Sequence, residues 1–223
     1  MKTVLAWSSG KDSAWTLHVL RQQGAAVGAL LTTINEAVGR VAMHGVRESL
    51  VEAQAEAAGI ELWKVPLPWP CTNEDYEARM AGGCRRAVAG GFDTIAFGDL
   101  FLRDIREYRE RQLAGSGLTP VFPLWQIPTA QLAHDMIAGG LRARLTCIDP
   151  KALDASFAGR EFDERLLADL PREVDPCGEN GEFHTFAWAG PMFRAPIPID
   201  TGEVHESSGF AYRDLIPCHA SSL

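Results

Sequence analysis

Over the first ~120 residues, short apolar runs alternate with longer amphipathic segments, a pattern that admits few architectures. Strand-like runs at Thr3–Trp7, Val27–Thr33, Glu61–Val65, Thr94–Gly98 and Leu118–Phe122 are separated by helical patterns at Asp12–Gln23, Val46–Ala58, Asn73–Ala89 and Leu102–Leu113. Strands joined through whole helices lie parallel, with the helices covering the sheet. The expected fold class is therefore α/β with a parallel five-stranded sheet. Gly24 and Gly59 follow the first two helices and Gly90-Gly91 the third, at the positions where helices stop.

After Phe122 the texture changes. Prolines at 123, 128, 150, 171, 176, 191, 196 and 198 break the chain into short pieces. Helices are expected at Thr129–Ala138 and Asp163–Asp169, and strands at Ala143–Asp149, Phe183–Ala189, Ile197–His205 and Phe210–Leu215. This reads as a smaller C-terminal α+β domain, residues 124–223, after a first domain of residues 1–123. There is no low-complexity linker, so the two are expected to pack together.

Composition excludes several roles. The longest apolar stretch, Ala25–Leu31, is far short of the roughly 20 residues that cross a bilayer, and Val4–Trp7 is too short for a secretory signal. The expected compartment is the cytoplasm. A net charge of −8 argues against a broad nucleic-acid or acidic-membrane surface. The cysteines (Cys71, Cys84, Cys147, Cys177, Cys218) are odd in number with no C-x-x-C pair, which reads as reduced thiols rather than a disulfide framework or a zinc site.

The most informative residues are Ser8-Ser9-Gly10-Lys11-Asp12-Ser13, between the first strand and the first helix. A strand-to-helix turn of small residues exposes backbone N–H groups, and the helix N-terminus adds partial positive charge, so the turn is a ready anion site. Each charge-assisted hydrogen bond to a phosphate oxygen would contribute roughly 1.5–3 kcal/mol. Lys11 adds a full positive charge, Ser8 and Ser13 add hydroxyls, and Asp12 a carboxylate suited to Mg²⁺. The Walker spacing is absent. The turn resembles the pyrophosphate loop S-G-G-x-D-S of the N-type ATP pyrophosphatases, with Ser9 in place of the first glycine. That resemblance implies an adenine nucleotide α-hydrolase-like (HUP/Rossmann-like) sheet and cleavage of ATP between its α and β phosphates.

A second constellation is Asp175-Pro176-Cys177-Gly178-Glu179-Asn180-Gly181-Glu182-Phe183-His184-Thr185-Phe186. Its glycines and asparagine make a turn, and the alternation that follows puts Glu182, His184 and Phe186 on one face. A carboxylate and an imidazole sharing a surface can position an amine or move a proton. The two signatures together resemble the diphthine–ammonia ligase family, in a bacterial-type branch. Its members pair an S-G-G-K-D-S loop with a C-terminal G-E-G-G-E-[YF]-E-[TS] motif. The resemblance extends to Gln54-Ala55-Glu56-Ala57-Ala58-Gly59-Ile60 and Phe97-Gly98-Asp99. Two positions depart from it: Asn180 stands for a glycine and His184 for an acid, both in the acceptor motif.

What the resemblance implies is an ATP- and Mg²⁺-dependent amide-forming ligase. A small-molecule or protein-borne carboxylate is adenylated, pyrophosphate leaves, and ammonia or an amine displaces AMP. Ser8 to Ser13, His44, Gly98 and Asp99 would bind nucleotide, with Asp12 and Asp99 on the metal. Gly178, Glu179, Asn180, Gly181, Glu182 and Thr185 would bind the acceptor, and Lys11, Asp12, Glu182 and His184 would carry the chemistry. A homodimer is compatible with this reading. An ATP-binding regulatory module without turnover and a tRNA sulfur-transfer enzyme are the alternatives. Within Arg103–Arg111 a salt-bridged helix face is expected, from which Arg106 or Arg109 could close over phosphates.

Overall fold

A computed structural model describes residues 2–218. The first half runs β1 (Lys2–Ala6), α1 (Lys11–Gln22), β2 (Ala26–Asn35), β3 (Arg40–Val41), α2 (Glu48–Ala58), β4 (Glu61–Leu67), α3 (Asn73–Ala89), β5 (Thr94–Ala96), α4 (Arg103–Leu113) and β6 (Thr119–Val121). The five expected parallel strands are present in the order β4-β2-β1-β5-β6. The sheet has a sixth member. Beyond the end of β1, β2 continues to Asn35, and the two-residue β3 pairs antiparallel with Ile34 and Asn35. A strand of two residues is too short to leave a periodic trace in the sequence.

The sheet is buried on both faces, as a parallel sheet must be. Val4, Ala29, Leu31, Ile95 and Phe97 face a core formed with α3 and the end of α4. Leu5, Trp7, Leu30 and Ala96 face the other way, into a core shared with α1 and α2. The period-2 alternation of side chains thus serves two hydrophobic layers at once.

The second half runs α5 (Thr129–Ala138), β7 (Arg142–Ile148), α6 (Glu164–Asp169), β8 (Phe183–Ala189), β9 (Ile199–Ser207) and β10 (Phe210–Pro217), with a 3-10 turn at Ala155–Phe157. Its strands form an antiparallel sheet ordered β8-β7-β10-β9. Leu132, Met136, Leu145, Ile148, Phe162, Phe183 and Phe186 join the same core as α1 and α2. The layer containing α1 is therefore held between the two sheets. Among the described residues no helix is long and apolar enough to cross a membrane.

A buried amide ties the halves together at the start of α1. The Gln54 Nε2 donates to the carbonyls of Ser9 (2.9 Å) and Ala187 (2.6 Å), while its Oε1 accepts from the Trp7 indole N–H at 2.8 Å. The Ala187 N–H also donates to the Ser9 carbonyl, at 3.0 Å. Arg40 and Arg47 add a second tie through Asp214 on β10. Replacing Gln54 by Leu strands buried donors and acceptors on both halves, each costing about 1–3 kcal/mol. The expected result is a loss of about 2–4 kcal/mol in unfolding free energy, read from the denaturant midpoint; a midpoint equal to wild type would remove Gln54 from this role.

Candidate functional site

The turn after β1 is built around an unusual backbone. Ser9 has φ +72°, the left-handed region that favours glycine. Its carbonyl accepts from both Ala187 and Gln54, and this pair of bonds holds the peptide in place. Gly10 is required next to it, since a Cβ there would lie 2.8 Å from Cε1 of His44 and 3.3 Å from the Thr185 carbonyl. Helix α1 has no side-chain cap of its own; the hydroxyl of Thr185 on β8 accepts from the Lys11 N–H at 3.0 Å. Gly98 meets the same helix from β5, where a Cβ would approach the Asp12 backbone to 3.0 Å.

A cavity of about 390 Å³ opens beside this turn. Ser8, Lys11, Asp12 and Ser13 line it from the loop, and Leu31, Thr33, Ala42 and His44 from β2 and the segment after β3. Gly98, Asp99 and Arg109 close one side, and Cys177, Gly178, Glu179, Gly181, His184 and Thr185 come from the second half. An adjoining cavity of about 270 Å³ between α3 and α4 shares Tyr76, Met80, Phe97 and Arg109 with it.

The Lys11 ammonium is buried. It donates to the Cys177 carbonyl and to Asp12 Oδ2 at 2.9 Å. Burial works against its charge, but Asp12 and the other acidic neighbours outweigh it and hold Lys11 protonated. Two imidazoles feel the opposite balance. Burial, helped by the Lys11 charge and only partly opposed by a hydrogen bond to Thr185, lowers His44 to about 4. Burial, with His44 and Lys11 nearby, lowers His184 to about 3. Both rings are neutral at neutral pH. Glu179 is pushed up to about 7, chiefly by burial and further by Asp12, although its Oε1 accepts from the Leu100 N–H at 2.8 Å.

Several expected site residues sit elsewhere. Ser9 and Gly10 shape the turn from behind and do not line the cavity. Glu182, expected in the chemistry, lies in the turn before β8. Its carboxylate accepts from the N–H groups of Asp175 (3.0 Å) and Asn180 (3.0 Å) and from the Asn180 amide (3.0 Å), so it braces the turn. Asn180 is spent in the same bracing. The expected shared face of Glu182, His184 and Phe186 does not form. Phe186 is in the core and Glu182 is spent in its turn, so of the three only His184 lines the cavity, beside Thr185. Asp99 lines the cavity but not as a free metal ligand, because Arg109 engages both its oxygens, at 2.6 and 3.0 Å.

Asp12 differs from Asp99 in this respect. Its Oδ1 is buried and has no hydrogen-bond partner among the described residues. No group of three His, Cys, Asp or Glu side chains converges there among those residues. A single free carboxylate oxygen beside an anion loop fits Mg²⁺, which takes one or two carboxylates and completes its shell from phosphate oxygens and water. Sequence reasoning gave Tyr76 no place and named Gln54 and Asp175 only as members of longer motifs, without a role. Asp175 organises the second turn by accepting from the N–H groups of Cys177 (2.9 Å) and Glu179 (3.2 Å) and from the Thr129 hydroxyl (2.6 Å). An Asp-Pro at the head of a glycine-rich turn is the signal that marks it. The Cys177 thiol donates to the Thr129 carbonyl and is pushed up by burial, which leaves no thiolate for sulfur transfer.

A parallel sheet with an anion turn at the carboxyl end of its first strand, closed over by a second sheet, defines an α/β protein that holds ligands at the strand ends. The family comparison narrows this. Residues 1–120 match the diphthamide synthase N-terminal domain and residues 128–214 the diphthamide synthase C-terminal domain. The chain belongs to the diphthamide synthase family. It is 27% identical to a diphthine–ammonia ligase of Danio rerio, over 95% of this chain and 92% of that protein. It is 24% identical to the Schizosaccharomyces pombe diphthine–ammonia ligase over 98% of this chain, and 33% identical to the human one over 42% of it. The matches span only 39% and 38% of those two proteins. A solved structure described as a predicted subunit of tRNA methyltransferase from Methanocaldococcus jannaschii superposes with TM-score 0.47 at 15% identity, covering 88% of this chain and all of that one.

Two outcomes follow from the geometry. Glu182→Gln should lower unfolding free energy by about 1–3 kcal/mol through the weakened turn while nucleotide affinity, measured by calorimetry, stays within about twofold; a large affinity loss at unchanged stability would return Glu182 to the binding surface. Glu179 gives a pH signature. Its folded value of about 7 lies above the ordinary 4.5, so the folded chain binds the extra proton between these limits. Stability of wild type relative to Glu179→Gln should therefore fall as pH rises from about 4.5 to about 7, then level off. His44 and His184 contribute the opposite slope in both proteins, and it cancels in the difference.

Proposed function

We propose that this protein is an ATP-dependent amide-forming ligase, with residues 1–123 as its nucleotide domain and residues 124–223 as its acceptor domain. The observation that carries the reading is the Thr185 contact. The hydroxyl of the acceptor motif caps the helix of the phosphate loop, so the two signatures form one surface around one cavity. The relatives named diphthine–ammonia ligase supply the substrate class: diphthine, a protein-borne carboxylate, with ammonia as the nitrogen source.

In this mechanism the acceptor carboxylate attacks the α-phosphorus of ATP, forming an acyl-adenylate and releasing pyrophosphate. Ser8, Lys11, Asp12 and Ser13 face the departing group. Lys11, already charged, turns from the Cys177 carbonyl to the growing charge on pyrophosphate, where a positioned cation contributes most. Mg²⁺ would be held by Asp12 Oδ1 and would offset phosphate charge. Arg109, drawn from α4 onto Asp99 and stacked over Phe97 at 4.3 Å, is the cation placed to meet the nucleotide from the opposite wall. Glu179 and Thr185 orient the acceptor, and enclosure by the second sheet limits attack by water.

Incubation with ATP, Mg²⁺, ammonium and a diphthine-bearing protein, or a metabolite extract where that acceptor is inert, should give AMP and pyrophosphate. Mass analysis should show carboxyl-to-amide conversion of the acceptor. Lys11→Met should reduce acceptor-dependent AMP release by about 100-fold or more. ADP and phosphate as products would overturn the reading.

A further inference from the structure

Two imidazoles from opposite halves of the chain meet over the phosphate loop. His44, in the turn after β3, and His184, on β8, have ring centroids 4.7 Å apart with planes tilted by 36°, and both line the cavity. The backbone that delivers His44 is strained. Met43 before it has φ +66°, and the His44 N–H donates to the Ala42 carbonyl at 2.8 Å, the geometry of a γ-turn with positive φ. Met43 itself is 63% exposed, so its own packing does not account for that conformation. What the turn achieves is to lay the His44 ring against Gly10.

The tautomer follows from the partner. His44 Nδ1 lies 3.0 Å from the Thr185 carbonyl, which can only accept, so Nδ1 carries the hydrogen and Nε2 of the neutral ring is a lone pair. A lone pair is a poor partner for a phosphate oxygen, which also only accepts. It suits an N–H donor. The His184 ring has no hydrogen-bond partner among the described residues and lies alongside. The charged groups lining the same cavity are Lys11, Asp12, Glu179 and the paired Asp99 and Arg109.

Resting on the ligase reading above, we infer that His44 and His184 are the site of the attacking ammonia or primary amine, with His44 Nε2 as the proton acceptor. Ammonia donates an N–H hydrogen bond to Nε2 while its lone pair forms the C–N bond to the acyl carbon. The carbon–oxygen bond to AMP breaks, its electron pair leaving on the phosphate, and the one excess proton on the newly acylated nitrogen, now acidic, passes to Nε2. The Lys11 charge disfavours ammonium at this place, so the amine is held in its neutral form. His44 thus serves the nitrogen donor instead of the nucleotide role expected from its position.

The test uses the full chain labelled with ¹⁵N-histidine, in Mg²⁺ and a non-hydrolysable ATP analogue, titrated with ammonium chloride or potassium chloride. The expected result is an unprotonated His44 Nε2 whose resonance shifts saturably with ammonium and not with potassium, an ion of similar size without N–H groups. His44→Asn keeps a donor for the Thr185 carbonyl but lacks Nε2. It should abolish the response of His184 and lower the ratio of amide formation to acceptor-dependent ATP–pyrophosphate exchange by about 100-fold. His184→Asn probes the same pair where His44→Asn does not fold. A protonated Nε2, an equal response to potassium, or an unchanged ratio would overturn the assignment. An ammonium-specific shift from a protein that releases no AMP with any acceptor would overturn the ligase reading and leave the amine site standing.

Discussion

The site depends on the carbonyl of Ser9. A non-glycine residue held at positive φ is costly unless its surroundings over-determine it, and here two buried donors, the Ala187 N–H and the Gln54 amide, fix that one oxygen. The consequences spread outward. The left-handed turn sets the direction of α1, Thr185 caps its first N–H, and Lys11 is drawn to the Cys177 carbonyl. Every one of these partners comes from the second half of the chain or from α2. The anion loop is therefore a product of two sheets meeting, and a buried lysine is tolerable only because acceptors from both halves surround it.

This arrangement also sorts the charges. Although the chain carries a net −8, the floor of the cavity is a protonated lysine, and the acids near it are each restrained. Asp99 is neutralised by Arg109, Glu179 is raised by burial, and Glu182 is turned into the backbone of its own loop. Of the carboxylates among the described residues, only Asp12 keeps a buried oxygen without a hydrogen-bond partner. The potential at the cavity floor is thus opposite in sign to that of the molecule as a whole, the setting in which the proposed nucleotide would be held. The neutral imidazoles complete the pattern, because a charged histidine beside Lys11 would be repelled.

Much of the fold was legible in sequence because it rests on periodicity and punctuation. Helices α3 and α5 begin and end where the apolar spacing and flanking residues put them; α3 carries a Thr72–Asp75 capping box and a glycine stop. Strand β8 was equally clear. The two-residue β3 left no trace, and Gly98 leaves β5 because the turn onto the Asp12 backbone begins there.

The acidic motif shows the limit most clearly. Reading Glu182 and His184 as partners on one face assumed that the alternation already ran at Glu182, but Glu182 precedes the strand and its carboxylate is taken by the N–H groups of Asp175 and Asn180. No rule of spacing reports which backbone groups a carboxylate will meet. Local chemistry, carried by residues adjacent in the chain, determined the parallel sheet, the anion turn at Ser8–Ser13 and the glycine-rich turn at Asp175–Gly181. The tertiary structure decided which side chains those turns present, since that depends on long-range hydrogen bonds: Gln54 to Ser9 and Ala187, Arg109 to Asp99, Thr185 to Lys11 and His44. Such bonds join groups from ten to about 170 residues apart, and those to Thr185 and Ala187 form only once both sheets have packed on the layer between them.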